Sequence, residues 1–367
     1  MRRTLFHFLT ILIFAAVARA GEWTLYKVGG RDHVSLENVA EFYSLGNVRR
    51  ANNDFAMSVE KKSLRGTAGS VEFYINGLKF NLSYPITEQD GRLLISRMDL
   101  TKVIEPVLRP NKIKDAEKIN TIVLDAGHGG HDRGALSPFG CEADYTLDTV
   151  LRTRLLLMQA GFKVVLTRSN DTFIPLGERT RIANQYANAL FIAVHFNSGG
   201  AGTGLETYTL APRGVPSMMA DGPRVSDNEM CAGNANDAEN MALATATHAS
   251  LMYRSWALHL PDRGIKRARF VVIRDIQIPG VLIEGGFLSN LYDAKFVAMP
   301  AYRQQMASCI LQAVQNYRRA VGTQLADVAA HTPDGPRVET NAPRLRLNPS
   351  QNDAEPVVIT PTAPATN

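Results

Sequence analysis

Patterns typical of strands and helices alternate along the middle of this chain, from Lys118 to about Arg319. A β-branched run at Thr121–Leu124 predicts a strand. The residues after it repeat an apolar side chain at helical spacing: Leu147, Leu151, Leu155 and Met158. A strand, a helix and a further strand in this order join parallel strands. The alternation therefore predicts an α/β fold with a largely parallel sheet and helices on both faces.

The same patterns continue to the end of this region. We predict further strands at Phe162–Leu166, Leu190–Val194, Thr203–Leu210, Phe270–Ile273 and Val281–Ile283. We predict helices at Leu176–Ala189, Glu239–Leu258 and Ala301–Ala320. Ligands of open α/β sheets bind outside the carboxyl ends of the strands, so functional residues are expected there.

Four short segments carry side chains that suit one metal ion and one general base. They are DAGHGG around His128, CEADYTLD around Glu142, VHFNS around His195 and VLIEGGFLSN around Glu284. The two histidines and Glu284 follow predicted strands, and Glu142 opens a predicted helix, so we expect all four at one edge of the sheet. Two imidazoles and a carboxylate leave a zinc ion one open position, where a further carboxylate could act on water. This combination predicts a hydrolase.

Each segment taken alone also has an ordinary structural explanation. The glycines around His128 suit a tight turn, Glu142 suits the positive end of a helix dipole, and His195 suits a hydrogen-bonded core position. Glu284 is different, because a carboxylate directly after an apolar strand is costly to bury unless it is paired, protonated or used. The functional interpretation depends on the four segments meeting in space.

The content and order of these segments are similar to those of a known family. The chain resembles zinc-dependent N-acetylmuramoyl-L-alanine amidases of the amidase-3 family, cell-wall hydrolases that include the division amidases. The segments that carry the resemblance are TIVLDAGHGGHDRGA, LGERTRIAN, VHFNS, GLETYTL, RGIKRARFVVIRD and PGVLIEGGFLSN. It implies one Zn²⁺ ion and a catalytic carboxylate. By motif position, the zinc ligands would be His128, Glu142 and His195, and the carboxylate would be Glu284.

The implied reaction is hydrolysis of the amide that joins the lactyl group of N-acetylmuramic acid to the L-alanine of the stem peptide. Glu284 would accept a proton from water and deliver it to the leaving amine. Candidates for orienting the ligands or contacting substrate are Asp125, Asp132 and Asn197, each equally explained as a turn former. The sequence departs from the family at Cys141, Phe196, Ser198 and Gly285, and none of these departures removes a ligand.

The first 20 residues are typical of a cleaved export signal. They contain Arg2 and Arg3, an apolar run from Thr4 to Val17 and the small-x-small site Ala18-Arg19-Ala20. The apolar run is too short to span a bilayer and no second such run follows, so the mature chain is predicted to lack a transmembrane segment. We expect Sec export to the periplasm or cell envelope in preference to the twin-arginine route.

The regions on either side of the predicted catalytic domain, residues 118–320, have different patterns. Residues 21–112 combine hairpin turns at Asn76-Gly77 and Asp90-Gly91 with a helical pattern at His33–Tyr43, which predicts a small α+β module. Its general pattern resembles the N-terminal domain of copper amine oxidases, and we expect it to bind the wall or a partner. Residues 321–367 are rich in Pro, Thr and Asn and predict a disordered tail.

Composition limits the class of protein. A chain of 367 residues with 45% hydrophobic and 20% charged residues is typical of globular proteins. Its formal charge of +5 includes Arg2, Arg3 and Arg19 of the export signal, and the other basic residues are scattered, so no nucleic-acid binding is predicted. Three cysteines are too few for a disulfide framework. Cys309 fits a buried helix position, and a bond between Cys141 and Cys231 is a hypothesis.

A long segment without a regular pattern, Pro212–Asn236, exceeds the usual length of a connection. In some division amidases an insertion at about this place covers the zinc and is displaced by an activator protein, so the resemblance implies such a partner here. The acids that could block the metal are Asp221, Asp227 and Glu229. The segment lacks a long amphipathic helix, which weakens this interpretation.

Four further polar residues are predicted to lie outside the catalytic site. Arg179 and Asn184 in LGERTRIAN are expected to form ion pairs or caps rather than to bind substrate. His131 is expected to be solvated, and His248 is expected on the surface of a helix.

The sequence is compatible with three functions. The first is an amidase acting on peptidoglycan in cell-wall remodelling or daughter-cell separation. The second is a non-catalytic peptidoglycan-binding protein on the same fold, against which the retention of Glu284 speaks. The third is a zinc carboxypeptidase or another amide hydrolase, which the open zinc site alone would permit. The GGFLSN and RGIK segments favour the amidase.

Overall fold

The computed structural model describes residues 23–113, 119–219, 222–253 and 260–322. The predicted export signal and all but the first two residues of the predicted tail lie outside these ranges. All the described residues belong to one compact unit. Within the described ranges, none of the helices combines the length and the apolar character needed to cross a bilayer.

Strands are numbered in chain order within the described residues. They are β1 (Tyr26–Val28), β2 (Arg31–Ser35), β3 (Arg49–Ala51), β4 (Asp54–Val59), β5 (Lys62–Thr67), β6 (Glu72–Ile75), β7 (Leu78–Asn81), β8 (Thr87–Gln89), β9 (Arg92–Ser96), β10 (Thr121–Ala126), β11 (Leu136–Ser137), β12 (Gly140–Cys141), β13 (Lys163–Leu166), β14 (Ala189–Asn197), β15 (Leu205–Leu210), β16 (Asp262–Ala268) and β17 (Gly280–Phe287).

Helices are numbered in the same way. They are α1 (Leu36–Tyr43), α2 (Arg97–Asp99), α3 (Glu105–Leu108), α4 (Glu142–Gln159), α5 (Leu176–Ala183), α6 (Asp237–Tyr253), α7 (Val271–Arg274), α8 (Leu291–Ala298) and α9 (Pro300–Gly322). A π-helical stretch, Leu100–Ile104, joins α2 to α3, and short 3₁₀ turns lie at Pro110–Lys112, Val225–Asn228 and Ala232–Asn236.

One large sheet organises the molecule, with the strand order β13-β10-β14-β17-β15-β16-β7-β6-β5-β4-β3. The first four strands are parallel, as the alternation of strands and helices predicts. β15 then runs antiparallel to β17, and β16 is parallel to β15. Among the six strands of this sheet that follow residue 118, the largely parallel α/β arrangement is therefore confirmed, with a reversal of direction next to β17. The strands β7-β6-β5-β4-β3 pair antiparallel.

Helices cover both faces of this sheet, as predicted. One face packs against α4, α6 and α9, and the smaller apolar cluster on the other face includes residues of α5 and α7. The buried strands explain the continuous apolar runs in the sequence, because parallel strands covered on both faces have no solvent side. Every residue of β10, for example, is buried.

The predicted apolar stripe of α4 is only partly buried: Leu147 packs against the core, whereas the C-terminal half of the stripe faces solvent. Leu155 and Met158 are 62% and 50% exposed, while Leu157 is fully buried. The buried face also carries Thr146, Thr149 and Thr153. The last two hydroxyls donate to backbone carbonyls four residues earlier and so need no other partner. The helix itself is confirmed, but its packed face combines apolar side chains such as Val150 and Leu157 with these threonines, and it does not follow the predicted stripe.

Several predicted elements differ from the structure. The residues predicted as a strand at Phe270–Ile273 form the N-cap and first residues of the short helix α7. The actual strand is β16, which begins eight residues before Phe270 and is rich in charged side chains. The predicted helix Leu176–Ala189 ends at Ala183, and β14 begins at Ala189. β17 extends beyond Ile283, so Glu284 lies within the strand rather than after it. Helix α8 was not predicted.

The N-terminal strands form local hairpins and then join the large sheet. Asn76-Gly77 and Asp90-Gly91 adopt left-handed conformations, which confirms both predicted turns. The helical pattern at His33–Tyr43 begins only at Leu36, because Ser35 caps the helix by accepting a bond from Asn38 N. A four-stranded sheet, β1-β2-β9-β8, packs beside these strands.

Two contacts tie the N-terminal strands to the region that follows. β7 pairs in parallel with β16, with Phe80 opposite Ile265. The buried carboxylate of Asp99 lies 2.9 Å from Arg267 Nη2, which also donates to Asn81 O. The domain boundary near residue 112 stays a prediction, but strands from both sides of it share one sheet.

The cysteines do not form the hypothesised bond. Cys141 Sγ lies 3.2 Å from Asp144 Oδ2, and Cys231 Sγ accepts a bond from Arg269. Cys309 is buried in α9, as predicted.

Candidate metal centre and its surroundings

The loop that carries His128 leaves β10 in a conformation that few side chains adopt. His128 has φ +62°, and the two glycines after it have φ +124° and +60°. A left-handed backbone at a residue other than glycine must be held by its surroundings. Arg179 does this from α5: its guanidinium donates to the carbonyl of His128 and forms an ion pair with the buried Asp125.

A second buried arginine, Arg168, holds the same loop through hydrogen bonds. Arg168 donates to the carbonyls of Ala126, Gly127 and Ala143, so it joins the end of β10 to the start of α4. Its role was not predicted, because a single arginine after a strand carries no distinctive pattern. The predicted structural role of Arg179 agrees with its contacts, and Asn184 likewise bonds the backbone of Asp275 and Gln277.

His128, Glu142 and His195 meet at the edge of the sheet. Glu142 Oε1 lies 3.0 Å from His128 Nε2 and 3.0 Å from His195 Nδ1. One potential ligand atom from each residue lies within 4.8 Å of the other two. The two imidazole rings stand edge to face, with centroids 5.1 Å apart. The three residues come from the loop after β10, the first turn of α4 and the last residues of β14.

Two glycines leave space for the His195 ring and the Glu142 carboxylate. A Cβ atom at Gly127 would lie 2.2 Å from the His195 ring, and one at Gly134 would lie 2.6 Å from Glu142 Oε2. Backbone groups fix the carboxylate as well, because Phe196 N donates to Oε1 and Ala135 N donates to Oε2 of Glu142. The carboxylate is therefore preorganised between the two imidazoles.

Charges in this cluster are strongly coupled. Burial would raise the pKa of Glu142, but hydrogen bonds from His128 and His195 and their charges lower it far below its usual value. Burial lowers the pKa of His128, whereas its bonds to Glu142 and Asp132 raise it, and the net effect is a raised pKa. Asp132 Oδ2 lies 2.9 Å from Nδ1 of His128, which leaves Nε2 facing Glu142.

These residues fit a metal ion. A buried carboxylate between two imidazoles, each in contact with the same oxygen, places three ligand atoms around one point. An imidazole whose other nitrogen is held by a carboxylate, as Asp132 holds His128, is the usual arrangement of a metal-binding histidine. Two nitrogen donors and one oxygen donor suit zinc and other divalent transition metals.

Glu284 lies on the strand next to His195. The two residues are directly opposite in the parallel pair β14–β17, and Glu206 is opposite Glu284 in the antiparallel pair β15–β17. Glu284 Oε2 is buried, and among the described residues it has no hydrogen-bond partner. Burial, followed by the charges of Glu142 and Glu206, raises the pKa of Glu284 well above its usual value. This carboxylate is suited to accept and hold a proton.

Five side chains form a second polar group beside Glu284, which we name the Glu206 cluster. Glu206 is 1% exposed, and its carboxylate accepts bonds from the other four members: Asn197, Tyr208, Arg263 and Lys266. Burial would raise the pKa of Glu206, but Lys266, Tyr208 and Arg263 lower it below its usual value. This cluster was not predicted, although its members lie in the GLETYTL, VHFNS and RGIK segments.

Other predicted residues have different surroundings from those expected. His248 is fully buried rather than on a surface, and its ring nitrogens lie 2.9 Å from Thr207 Oγ1 and Asp262 Oδ1. His131 is exposed, as predicted, and its ring packs against Phe173. Asn197 bonds Glu206 rather than a ligand of the candidate metal site.

The described acids of the segment Pro212–Asn236, Asp227 and Glu229, form no ion pair with the three candidate ligands. Asp227 is buried, with Oδ1 3.2 Å from Arg269 Nε and Oδ2 accepting a bond from Arg224 N. Glu229 is exposed, and Asp221 lies outside the described residues. Met219 reaches Tyr208, whose hydroxyl lies 3.1 Å from its sulfur, so the segment touches the Glu206 cluster.

Comparison with known proteins identifies the family. The sequence profile of the amidase-3 family, described as N-acetylmuramoyl-L-alanine amidase, matches residues 122–316, more than half of the chain. The chain belongs to the amidase-3 family. The match spans the four segments around His128, Glu142, His195 and Glu284.

Several named proteins are similar to this amidase-3 chain. It is 28% identical over 246 residues to N-acetylmuramoyl-L-alanine amidase AmiA of Escherichia coli K12, covering 61% of this chain and 84% of AmiA. It is 32% identical over 220 residues to AmiC of Neisseria meningitidis, covering 53% and 52% of the two chains. The solved catalytic domain of CwlV from Bacillus (Paenibacillus) polymyxa var. colistinus is 31% identical, with coverage of 55% and 99% and a TM-score of 0.44.

Proposed function

We propose that this protein is a zinc-dependent N-acetylmuramoyl-L-alanine amidase that hydrolyses the amide between N-acetylmuramic acid and L-alanine in peptidoglycan. The observation that carries the proposal is the convergence of His128, Glu142 and His195 beside Glu284 on the neighbouring strand. Membership of the amidase-3 family supports the choice of substrate among amide hydrolases. A non-catalytic role would leave the unpaired, buried oxygen of Glu284 without an explanation.

His128, Glu142 and His195 would hold the metal ion, each through one atom. When bound, zinc supplies Lewis acidity, which polarises the scissile carbonyl and lowers the pKa of water. The choice of zinc is supported by the two imidazoles and one carboxylate in the donor set. Asp132 fixes the ring of His128, and Arg179 and Arg168 hold the loop that carries it.

Glu284 would act first as a general base and then as a general acid. Its carboxylate accepts a proton from the attacking water and passes it to the nitrogen of the leaving L-alanine as the amide bond breaks. Burial and the neighbouring carboxylates raise the pKa of Glu284, which supports the second step, because the carboxyl holds the proton until the leaving amine accepts it. Glu206 lies opposite Glu284 on the neighbouring strand, and its carboxylate is paired with Arg263 and Lys266.

The protein would reach this substrate by export. The proposal is supported by the charged and apolar pattern of residues 1–20, with cleavage before Gly21, and places the enzyme in the periplasm or cell envelope, in wall remodelling or daughter-cell separation. Sequencing the amino terminus of the protein recovered from cells tests it. A terminus at Gly21 is expected, and an intact Met1 would contradict export with cleavage.

The decisive experiment is digestion of purified peptidoglycan with the mature protein, comparing wild type with Glu284→Gln, each with and without a chelator. We expect free stem peptides from wild type alone, with release stopped by the chelator and restored by zinc. Equal inertness of both proteins, with sedimentation on the wall retained, would favour a binding protein. Cleavage within the stem would indicate a peptidase.

Access to the site would be controlled by the segment Pro212–Asn236, with an activator protein that displaces it. The length of the segment and the contact of Met219 with Tyr208 support this, whereas Asp227 is already paired with Arg269. Replacing Val215–Cys231 with a short Gly-Ser linker is expected to raise stem release by the purified protein. If a folded variant released stem peptides at the wild-type rate, the segment would not control access to the site.

A further inference from the structure

Arg263 is a member of the Glu206 cluster whose side chain is partly exposed to solvent. Its side chain is 36% exposed, whereas that of Lys266 is 16% exposed and that of Glu206 is 1% exposed. Its Nε donates to Glu206 Oε1. The guanidinium is therefore anchored at one side and open at the other.

The surroundings of Arg263 restrict its movement. Its guanidinium carbon lies 5.0 Å from the centre of the Phe287 ring. A Cβ atom at Gly204 would lie 3.0 Å from Cγ of Arg263, so this glycine lets the chain pass close to the arginine stem. Phe287 belongs to the same strand as Glu284. The arginine is thus preorganised at the edge of the sheet where Glu284 lies.

The Glu206 cluster has a surplus of positive charge. Arg263 and Lys266 both pair with the single carboxylate of Glu206. Within the described part of the chain, the two Nη atoms of Arg263 have no hydrogen-bond partner, and no other carboxylate lies within ion-pair distance of its guanidinium. A guanidinium with two unused, parallel donors matches the two oxygens of a carboxylate.

The position of Arg263 fits one particular carboxylate of the substrate. Its strand, β16, is two strands from β17, which corresponds to roughly 10 Å between backbones, and the arginine side chain reaches part of the way back. The second stem residue of peptidoglycan is D-glutamate joined onward through its γ-carboxyl group, so its α-carboxyl group stays free or is amidated. One residue of extended chain spans about 3.5 Å, which brings that group within reach of a site beside Glu284.

Resting on the proposed function, we propose that Arg263 binds the free α-carboxylate of the second stem residue and makes the enzyme prefer stems in which that group is not amidated. The guanidinium binds through its Nη atoms while Nε stays on Glu206. Arg263 is thus a specificity-determining residue, distinct from the metal ligands and from Glu284.

The test compares two preparations of uncross-linked glycan strands that differ only at the second stem residue, D-isoglutamate in one and D-isoglutamine in the other. Wild type is expected to show about tenfold higher kcat/KM on the free carboxylate, mainly through KM, and the preference is expected to shrink as salt is added. In Arg263→Gln the ratio of the two kcat/KM values is expected to fall to about one. Arg263→Lys, which keeps the charge without the paired donors, is expected to lie between them.

Arg50→Gln is the matched control, because Arg50 is 34% exposed and also paired with one glutamate, Glu88, but lies on β3 at the far end of the sheet. It should keep the wild-type ratio. Equal kcat/KM of wild type on both strands would overturn the inference while leaving the amidase function intact. A variant Arg263→Gln that loses the same factor on both strands, or that melts at a lower temperature with the ratio unchanged, would also overturn it. Failure of wild type to release stems from either preparation would instead contradict the proposed function.

Discussion

At the scale of single residues, Asp132 decides which nitrogen of His128 faces the other two candidate ligands. Its carboxylate holds Nδ1 at 2.9 Å and accepts a bond from Gly134 N. We predict that Asp132→Ala weakens zinc binding by about 10- to 100-fold, because the ring loses its fixed orientation. Competition against a chromophoric chelator measures this. Asp54→Ala, at an exposed position on β4, should bind zinc as wild type does, and equal affinities of all three proteins would contradict the role of Asp132.

Glu284 should lower the stability of the metal-free protein at neutral pH. Its pKa is raised in the folded state by burial and by the charges of Glu142 and Glu206. Above the unfolded pKa of about 4.3, the unfolded chain releases this proton while the folded chain retains it, so folding becomes less favourable as pH rises. The penalty vanishes below that pH, where both states are protonated.

We therefore predict that Glu284→Gln raises the free energy of unfolding of the metal-free protein by about 0.5–2 kcal/mol at pH 7 and leaves it nearly unchanged near pH 4. Urea denaturation with chelator present, at both pH values, measures the difference. Glu41→Gln, at an exposed position in α1, is the control and should change neither value. A variant less stable than wild type at pH 7 would show that Glu284 is structurally paired.

The four residues of the proposed catalytic site could be found from the sequence because each lies in a short segment with recognisable neighbours. The Glu206 cluster could not be found from the sequence. Glu206 meets Glu284 only because β15 runs antiparallel to β17, and no pattern in either strand specifies that direction. Arg168 was missed for a related reason, since its partners are backbone carbonyls, which leave no trace in the sequence.

At the scale of elements, α4 offers a direct test of which face packs. Leu157 is fully buried and Leu155 is 62% exposed, although they are two residues apart. We predict that Leu157→Ala lowers the free energy of unfolding by about 2–5 kcal/mol and that Leu155→Ala changes it by less than about 0.5 kcal/mol. Thermal and urea denaturation of the two variants measure this. Equal destabilisation would mean that the apolar stripe is covered in solution.

The strand β16 shows why one element escaped prediction. Its sequence, DRGIKRA, has three basic residues and one acid, which is unusual for a strand deep in a sheet. Burial is possible because Lys266 pairs with Glu206 and Arg267 pairs with Asp99. The nearby run Phe270–Ile273 has the apolar, β-branched composition of a strand, but it forms a single helical turn against α5. Tertiary pairing therefore outweighs local preference in both segments.

At the scale of the whole molecule, the ion pair between Asp99 and Arg267 couples the N-terminal strands to the sheet that holds the site. Both side chains are almost fully buried, and Asp99 also accepts bonds from Ser83 N and Tyr84 N. We predict that Asp99→Ala lowers the free energy of unfolding by about 3–5 kcal/mol, because it leaves a buried arginine without its partner. Asp32→Ala removes a surface ion pair with Lys27 and should have little effect.

Calorimetry and circular dichroism should give one coincident unfolding transition for wild type and for both variants, since strands from both regions share one sheet. Two separate transitions in wild type, with only the first shifted in Asp99→Ala, would contradict this coupling.

The pairing of β7 with β16 has a practical consequence for anyone who shortens the chain. A protein that starts at Ile119 would keep every residue of the proposed active site but would lose the strand that covers β16. The uncovered strand would present a row of unpaired backbone donors and acceptors, which other copies can extend into aggregates. Poor solubility of such a fragment would then result from the exposed sheet edge and not from a loss of active-site residues.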